Sequence, residues 1–365
     1  MLLIGSYLTV MQLSPATGAT DSNGSLTQKL DPYYIDISSK TDFDNEKDRG
    51  TGTPGDPYVI ENRVINLSGD SMGGISIFGT GYHFIIQNCV FIGDIYYSGI
   101  EIWEAANGTI INNTLTNFRY GISVKGASNI NITHNNLSEN NWRGLELAYV
   151  LESSQLIRVI NNTMVGNELQ SGCRVDWVYN CTFINNTFNN NGAKGFWLKN
   201  ARFNVITDNV ANDNGDYGFL VEYAHFNNFT HNNADGNPVD GFRSSDSSHN
   251  NFINNTVNDS GGFGFHFNNA TYSKLINNTV TNNAEHGILV TYYSSYNTIT
   301  YNTIRGNGWD CIFQDSTSIG NIITNNECDQ TENGGIPGFE LHLIFLSIIT
   351  LLEITIFLKK QIIID

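Results

Sequence analysis

The chain has 365 residues, of which 40% are apolar, 12% aromatic and only 15% charged. That composition supplies a sizeable core and excludes wholesale disorder, and the length admits two ordinary domains or one large β domain. With 35 acidic against 18 basic residues the formal net charge is −17, a field that repels nucleic acid and anionic headgroups, so no nucleic-acid partner is expected.

In chain order, residues 1–20 (MLLIGSYLTVMQLSPATGAT) combine an apolar run from Leu2 to Leu13 with small residues around Ala16–Ala19. This pattern predicts a secretory signal peptide without its usual basic start, a buried strand being the alternative. Residues 21–58 are expected to form an N-terminal cap segment, and residues 59–331 a repeat domain. Glycines 195, 218, 241, 264 and 287 recur at one constant interval, with Asp310 read as the next member and Gly99, Gly121, Gly144 and Gly172 as earlier ones. Each is followed by apolar, variable, apolar, as in Gly218-Phe219-Leu220-Val221.

A second series runs beside the first at nearly the same interval: Asn62, Asn88, Asn113, Asn135, Asn162, Asn186, Asn209, Asn232, Asn255, Asn278, Asn302 and Asn326. An apolar residue stands three positions before each, and a small or apolar one two positions after. No segment keeps apolar residues at helical spacing, and the leucine-rich frame L-x-x-L-x-L is absent. What remains is an all-β fold: a parallel β-helix (β-solenoid) of about 10–12 coils, three short strands per coil, roughly 50 Å long. The asparagines are expected to turn the corners between strands in the left-handed conformation, with their amides bonded from coil to coil. Fourteen N-x-S/T sequons exist, but Asn112, Asn161, Asn185, Asn254 and Asn277 arise from the repeat itself, leaving loop positions such as Asn23 or Asn107 for glycans.

From residue 59 to about 330 the chain resembles the right-handed parallel β-helix, pectin-lyase-like group, especially its NosD-like members. The segment GTGTPGDPYVIEN, Gly50 to Asn62, resembles the opening of such helices in archaeal surface proteins. The resemblance implies the fold. It leaves function open, because the group contains lyases, hydrolases, epimerases, adhesins and binding proteins.

Within the strand after each glycine, the residues two and four positions on point outward. The first outward row reads Glu101, Ser123, Glu146, Arg174, Trp197, Leu220, Arg243, His266, Leu289. The second reads Trp103, Lys125, Ala148, Asp176, Lys199, Glu222, Ser245, Asn268, Thr291. All five tryptophans (Trp103, Trp142, Trp177, Trp197, Trp309) lie in or beside this strand. Tryptophan on a solvent face, stacked with charge, suits sugar rings, so Trp103, Trp142, Arg143, Arg174, Trp177, Trp197 and Lys199 are the candidate ligand-binding residues for a polysaccharide or glycan. Edge protection and ordinary surface polarity is the competing explanation.

The interval from Gly144 to Gly172 is the longest in the glycine series, and its insertion falls after Glu146, where repeats place function. Glu101 and Glu146 sit two coils apart, roughly 9–10 Å, at the upper edge for an inverting glycosidase. Glu101, Glu146 and Asp176 are therefore the catalytic candidates for a polysaccharide lyase or glycoside hydrolase, although Arg174 beside Glu146 equally suits plain ion pairing. The N-T-D, G-H-G and R-I-K set of polygalacturonases, the D-P-H-D of mannuronan epimerases and the calcium-binding RTX nonapeptide are all absent. No cofactor is identified: neither calcium nor copper has a supporting motif. The NosD resemblance implies copper, yet the eight histidines are scattered, and His134 and His231 replace asparagine before the corner. The five cysteines cannot all pair and match no zinc spacing; Cys173, Cys311 and Cys328 fall on apolar positions as small hydrophobes.

After a linker at 332–340, residues Leu341 to Leu358 form an apolar run in which thirteen of 18 residues are Leu, Ile or Phe. Their transfer is worth about −6 kcal/mol against ~3 for central Glu353, so a transmembrane anchor helix is expected, with the basic tail 359–365 inside. Pro337-Gly338-Phe339 resembles archaeal C-terminal sorting signals, which implies removal of the span and lipid attachment. The whole sequence reads as a surface-displayed β-helix binding glycan. An enzyme on the same face is the first alternative; a structural or adhesive spacer, or a copper-related protein, is the second.

Overall fold

The computed structural model describes residues 29–31, 33–69, 72–150 and 156–329. The expected signal peptide, linker, sorting tripeptide, anchor helix and basic tail lie outside the described residues. Among the described residues no helix is long and apolar enough to cross a membrane. The chain divides into a unit Met1–Glu327 and a second, Cys328–Asp365, of which only Cys328 and Asp329 are described.

The first unit is a parallel β-solenoid. Two faces are twelve-stranded sheets, and the third consists of a four-stranded and a five-stranded sheet. Single bridges running Thr114–Asn136–Thr163–Thr187–Val210–Asn233 join the latter two. One coil contributes Phe219–Glu222, Asn228–Thr230 and Asn233–Asp235 to the three faces. The constant period forces this stacking, because it brings inward apolar side chains into register: Phe219 pairs with Phe196 and Phe242, and Phe229 with Phe252. Their rings stack, Phe219–Phe242 at 4.5 Å and Phe229–Phe252 at 5.0 Å between centroids. Each buried ring contributes about 2–3 kcal/mol of apolar burial.

The repeat glycines are required by closeness of coils. A Cβ on Gly218 would sit 2.8 Å from the Gly241 carbonyl oxygen. The last member of the series is corrected by register: Ile288 pairs with Ile312, so Cys311 stands where the glycine would, and Asp310 aligns with His286. Cys311 is disulfide-bonded, as is Cys328, which corrects their reading as hydrophobes. Cys89, Cys173 and Cys181 are free and buried.

Within the expected cap segment, Lys29–Asp31 and Ile35–Ile37 already pair in parallel with the solenoid strands at Arg63–Asn66 and Ile75–Phe78. The helix Lys40–Glu46, capped by Ser39 with a reciprocal Asp42 bond, buries Phe43, which stacks on Tyr58 at 4.5 Å. It thereby covers the end of the core.

The corner asparagines need one correction. The left-handed residue is the one before the anchor: φ is 55° at Asn112, 56° at His134, 53° at Asn185 and 56° at Asn277. Asn113, Asn135, Asn186, Asn209, Asn232, Asn255, Asn278 and Asn302 are instead buried and form the coil-to-coil ladder. Asn209, for example, donates its backbone N–H to Asn232 Oδ1 at 3.0 Å and its side-chain amide to the Phe183 carbonyl at 3.0 Å. Asn62 and Asn88 belong to the left-handed row; Arg63 and Cys89 take the ladder positions, with Cys89 N–H donating to Asn113 Oδ1.

Candidate functional site

Both outward rows on the glycine face appear in register. Ser123 pairs with Glu101 and Glu146, Glu146 with Arg174, and Arg174 with Trp197; Lys125 pairs with Trp103 and Ala148, and Asp176 with Lys199. A third row escaped the strand-alternation argument. The chain bends at the glycine, so the residue before it (Tyr120, Arg143, Lys194, Tyr217, Asp240, His286) lies beside the first outward row. The flanking rows wall the first row into a groove. Glu146, although it points outward, is only 5% exposed.

An ion cluster occupies the floor. Glu146 receives Arg143 at 3.2 Å and Arg174 at 2.9 Å, and Arg174 also reaches Asp176. Asp176 accepts a further hydrogen bond from Asn200 Nδ2 at 2.9 Å. Burial pushes the Glu146 carboxyl above its ordinary value, with Arg143 and Arg174 pulling the other way. Burial likewise lowers Arg143 from its ordinary value. Glu101 stands apart and accepts from Lys125 at 3.1 Å.

The cations also cover the aromatic rings. Arg119 lies 4.2 Å over Trp142, and Arg174, Lys194 and Lys199 lie 4.9, 5.4 and 5.5 Å from the Trp197 centroid. The Trp197 indole N–H donates to Glu222 at 2.8 Å. Beyond Trp197 the groove opens into a depression of about 420 Å³, lined among others by Lys194, Trp197, Tyr217, Glu222 and Arg243. On the next coil the buried Asp240 carboxylate faces His266 Nδ1 at 3.4 Å and Arg243 at 4.0 Å, while its other oxygen accepts from the Phe263 N–H at 3.1 Å. His266 Nε2 is 3.2 Å from the Thr291 hydroxyl.

The structure therefore brings together Trp142, Arg143, Glu146, Arg174, Asp176, Trp197 and Lys199. Trp103 sits farther along the face, edge-on to Phe78 at 5.6 Å. Trp177 lies on the corner that ends the strand, with φ of 56°. Arg119, Lys194, Tyr217, Asp240 and the pairing of Asp240 with His266 were missed; the one signal for them is their fixed offset before or just after the repeat glycine.

Copper does not fit the described residues, among which no group of three His, Cys, Asp or Glu side chains converges. His134 and His231 instead bond corner asparagines, and His249 is stacked between Phe226 and Tyr272.

A parallel solenoid with a walled, charged groove on one sheet is a β-helix protein. The chain belongs to the right-handed β-helix family, whose description, "Right handed beta helix region", matches residues 51–168 and 98–256. The family described as "Periplasmic copper-binding protein (NosD)" matches residues 209–338. No curated protein matches the chain. Among solved structures it is similar to the A-module of the mannuronan C-5 epimerase AlgE6 of Azotobacter vinelandii, with 16% identity over 82% of this chain and 90% of that one and a TM-score of 0.65. It is also similar to the catalytic unit of a GH87 α-1,3-glucanase from Streptomyces thermodiastaticus, at 12% identity over 89% and 71% of the two chains and a TM-score of 0.50. The Dettilon tailspike protein matches at 12% identity over 75% of this chain and 56% of that one, with a TM-score of 0.51. At these identities the shared property is the fold.

Proposed function

We propose that the protein acts on an anionic polysaccharide laid along the glycine face. The observation that carries this is charge placement. In a chain of net charge −17, seven of the 18 basic residues (Arg119, Lys125, Arg143, Arg174, Lys194, Lys199, Arg243) lie on that one face or its flank; five are paired with carboxylates there, and among the described residues Arg119 and Lys199 have no ion-pair partner. Carboxylates or sulfates along a polymer suit such a stripe, whose cations lie against the rings of Trp142, Trp197 and Tyr217. The mannuronan epimerase and the α-1,3-glucanase, which share the fold, support action on polysaccharide over display alone.

Turnover has its own supporting observation. Glu101, Glu146 and Asp176, the carboxylates proposed from the sequence, each already hold a cation. His266 differs: it faces the buried Asp240 carboxylate and is the strand neighbour of Arg243, which lines the depression, so we take it as the side chain to move a proton. A location outside the cytoplasm accords with the periplasmic description of the NosD family and with the apolar run at 1–20. Tethering through Leu341–Leu358 is a separate proposal, tested by whether truncation after residue 331 releases the protein from membranes.

The test is retention and product formation by the purified protein on pectate, alginate and hyaluronan, with neutral glucans alongside. Salt-sensitive retention of the charged polymers is expected, with unsaturated or epimerised uronate appearing in wild type and lost in His266→Gln. Equal retention of neutral glucans, or no retention at all, overturns the anionic-substrate reading and leaves a spacer. Retention without any product removes the catalytic part.

A further inference from the structure

Each coil ends its glycine strand on a residue in the left-handed region. From Trp177 onward the row reads Trp177, Asn200, Tyr223, Asp246, Asn269, Tyr292, with φ between 48° and 56°. Asparagine and aspartate adopt that conformation readily; a tryptophan or tyrosine there is an outlier whose cost needs an offset.

The next corner along the coil shows what an offset looks like. Phe203, Phe226, His249, Tyr272 and Tyr296 are also left-handed, and their rings stack in an unbroken column at 5.3, 4.6, 5.2 and 5.1 Å. Trp177 and Tyr223 have no such column. Among the described residues neither ring has an aromatic or cationic partner, and they are 47% and 51% exposed.

Their spacing supplies the ligand. Strand register places Trp177 and Tyr223 two coils apart, roughly 10 Å, with Asn200 on the coil between. One coil is about as high as one diequatorially linked pyranose is long in an extended chain. On the inner side Asp176, Lys199 and Glu222 follow in the same register; Asp176 is held by Arg174 and Asn200, while Lys199 and Glu222 offer a donor and an acceptor to sugar hydroxyls.

We infer that Trp177 and Tyr223 are stacking platforms for alternate sugars of an extended polysaccharide that runs parallel to the solenoid axis along the edge of the groove. This rests on the polysaccharide reading above and adds its direction, its register and a linkage class: extended chains, not coiled ones.

The test replaces each ring by the residue that its backbone prefers. Trp177→Asn and Tyr223→Asn relieve the left-handed outlier, so the unfolding midpoint stays level or rises. Affinity for a uronate oligosaccharide long enough to reach both rings falls about three- to tenfold for each substitution. Tyr272→Asn is the control in the stacked column: its midpoint falls and its affinity is unchanged. Unchanged affinity in both groove-edge variants overturns this inference alone. A midpoint loss in those two variants equal to that of Tyr272→Asn also overturns it, since the rings would then be structural. Absence of retention by wild type overturns the polysaccharide reading together with this one.

Discussion

Two kinds of buried polar arrangement occur in this solenoid, a repeated amide ladder and a local ion cluster, and they solve the same problem differently. The asparagine ladder from Asn113 to Asn326 places a neutral amide in ten successive coils, and each amide donates to or accepts from its neighbours. The groove floor at Arg143, Glu146, Arg174 and Asp176 places charge in a largely but less completely buried setting, and in only two coils. A feature repeated in every coil maintains the scaffold. One that appears once, at largely buried residues, needs a local reason, and burying charge is an expensive way to gain stability alone.

The sharpest break in that comparison is Arg174→Met. It strips the shared cation from Glu146 and Asp176 and leaves two carboxylates close together in the groove floor. A loss of about 3–5 kcal/mol is expected, seen as a lower denaturation midpoint. Asn209→Ala follows at about 2–4 kcal/mol, because Asn186 loses the acceptor for both its backbone N–H and its amide. Its damage should spread along neighbouring coils in hydrogen exchange, as expected where each repeat supports the next. Gly218→Ala is smaller, about 1–3 kcal/mol, since its Cβ must displace the Gly241 carbonyl and Ala234. If the glycine substitution proved as costly as the ladder substitution, coil closeness and not amide satisfaction would be the main determinant.

The fold is legible in the sequence because its period is written in side chains that alternatives cannot use: a glycine with no room for a Cβ and an asparagine bonded above and below. The same regularity hides which member of Asn112-Asn113 is buried. Both are asparagine, and spacing does not distinguish the left-handed residue from the ladder residue. The two outward rows follow from strand alternation, whereas the row of Arg143, Lys194 and Tyr217 does not, because alternation fails where the chain bends at glycine. Asp240 and His266 belong to different coils and lie far apart in sequence, and only coil stacking brings them together. Trp177 lies one residue past Asp176, and nothing in its spacing announces a left-handed corner.

The finest test concerns Glu146. Burial raises its carboxyl in the folded state, outweighing the opposite pull of Arg143 and Arg174. A carboxyl raised on folding contributes most to stability in acid, below its unfolded value, and that contribution is lost as pH rises through the folded value. Glutamine at 146 carries no such dependence. The stability of Glu146→Gln relative to wild type should therefore shift in the variant's favour as pH climbs from below the ordinary carboxylate value to above the raised one, then level off. Denaturation midpoints across that interval, at fixed ionic strength, measure the shift. A shift in wild type's favour would mean that the two guanidinium groups outweigh burial and that the cluster is a stabilising ion network. The expected direction means the opposite: the ladder demonstrates that a neutral amide suits a buried row, so a carboxylate kept at 146 costs the fold something that the groove, and not the scaffold, must require.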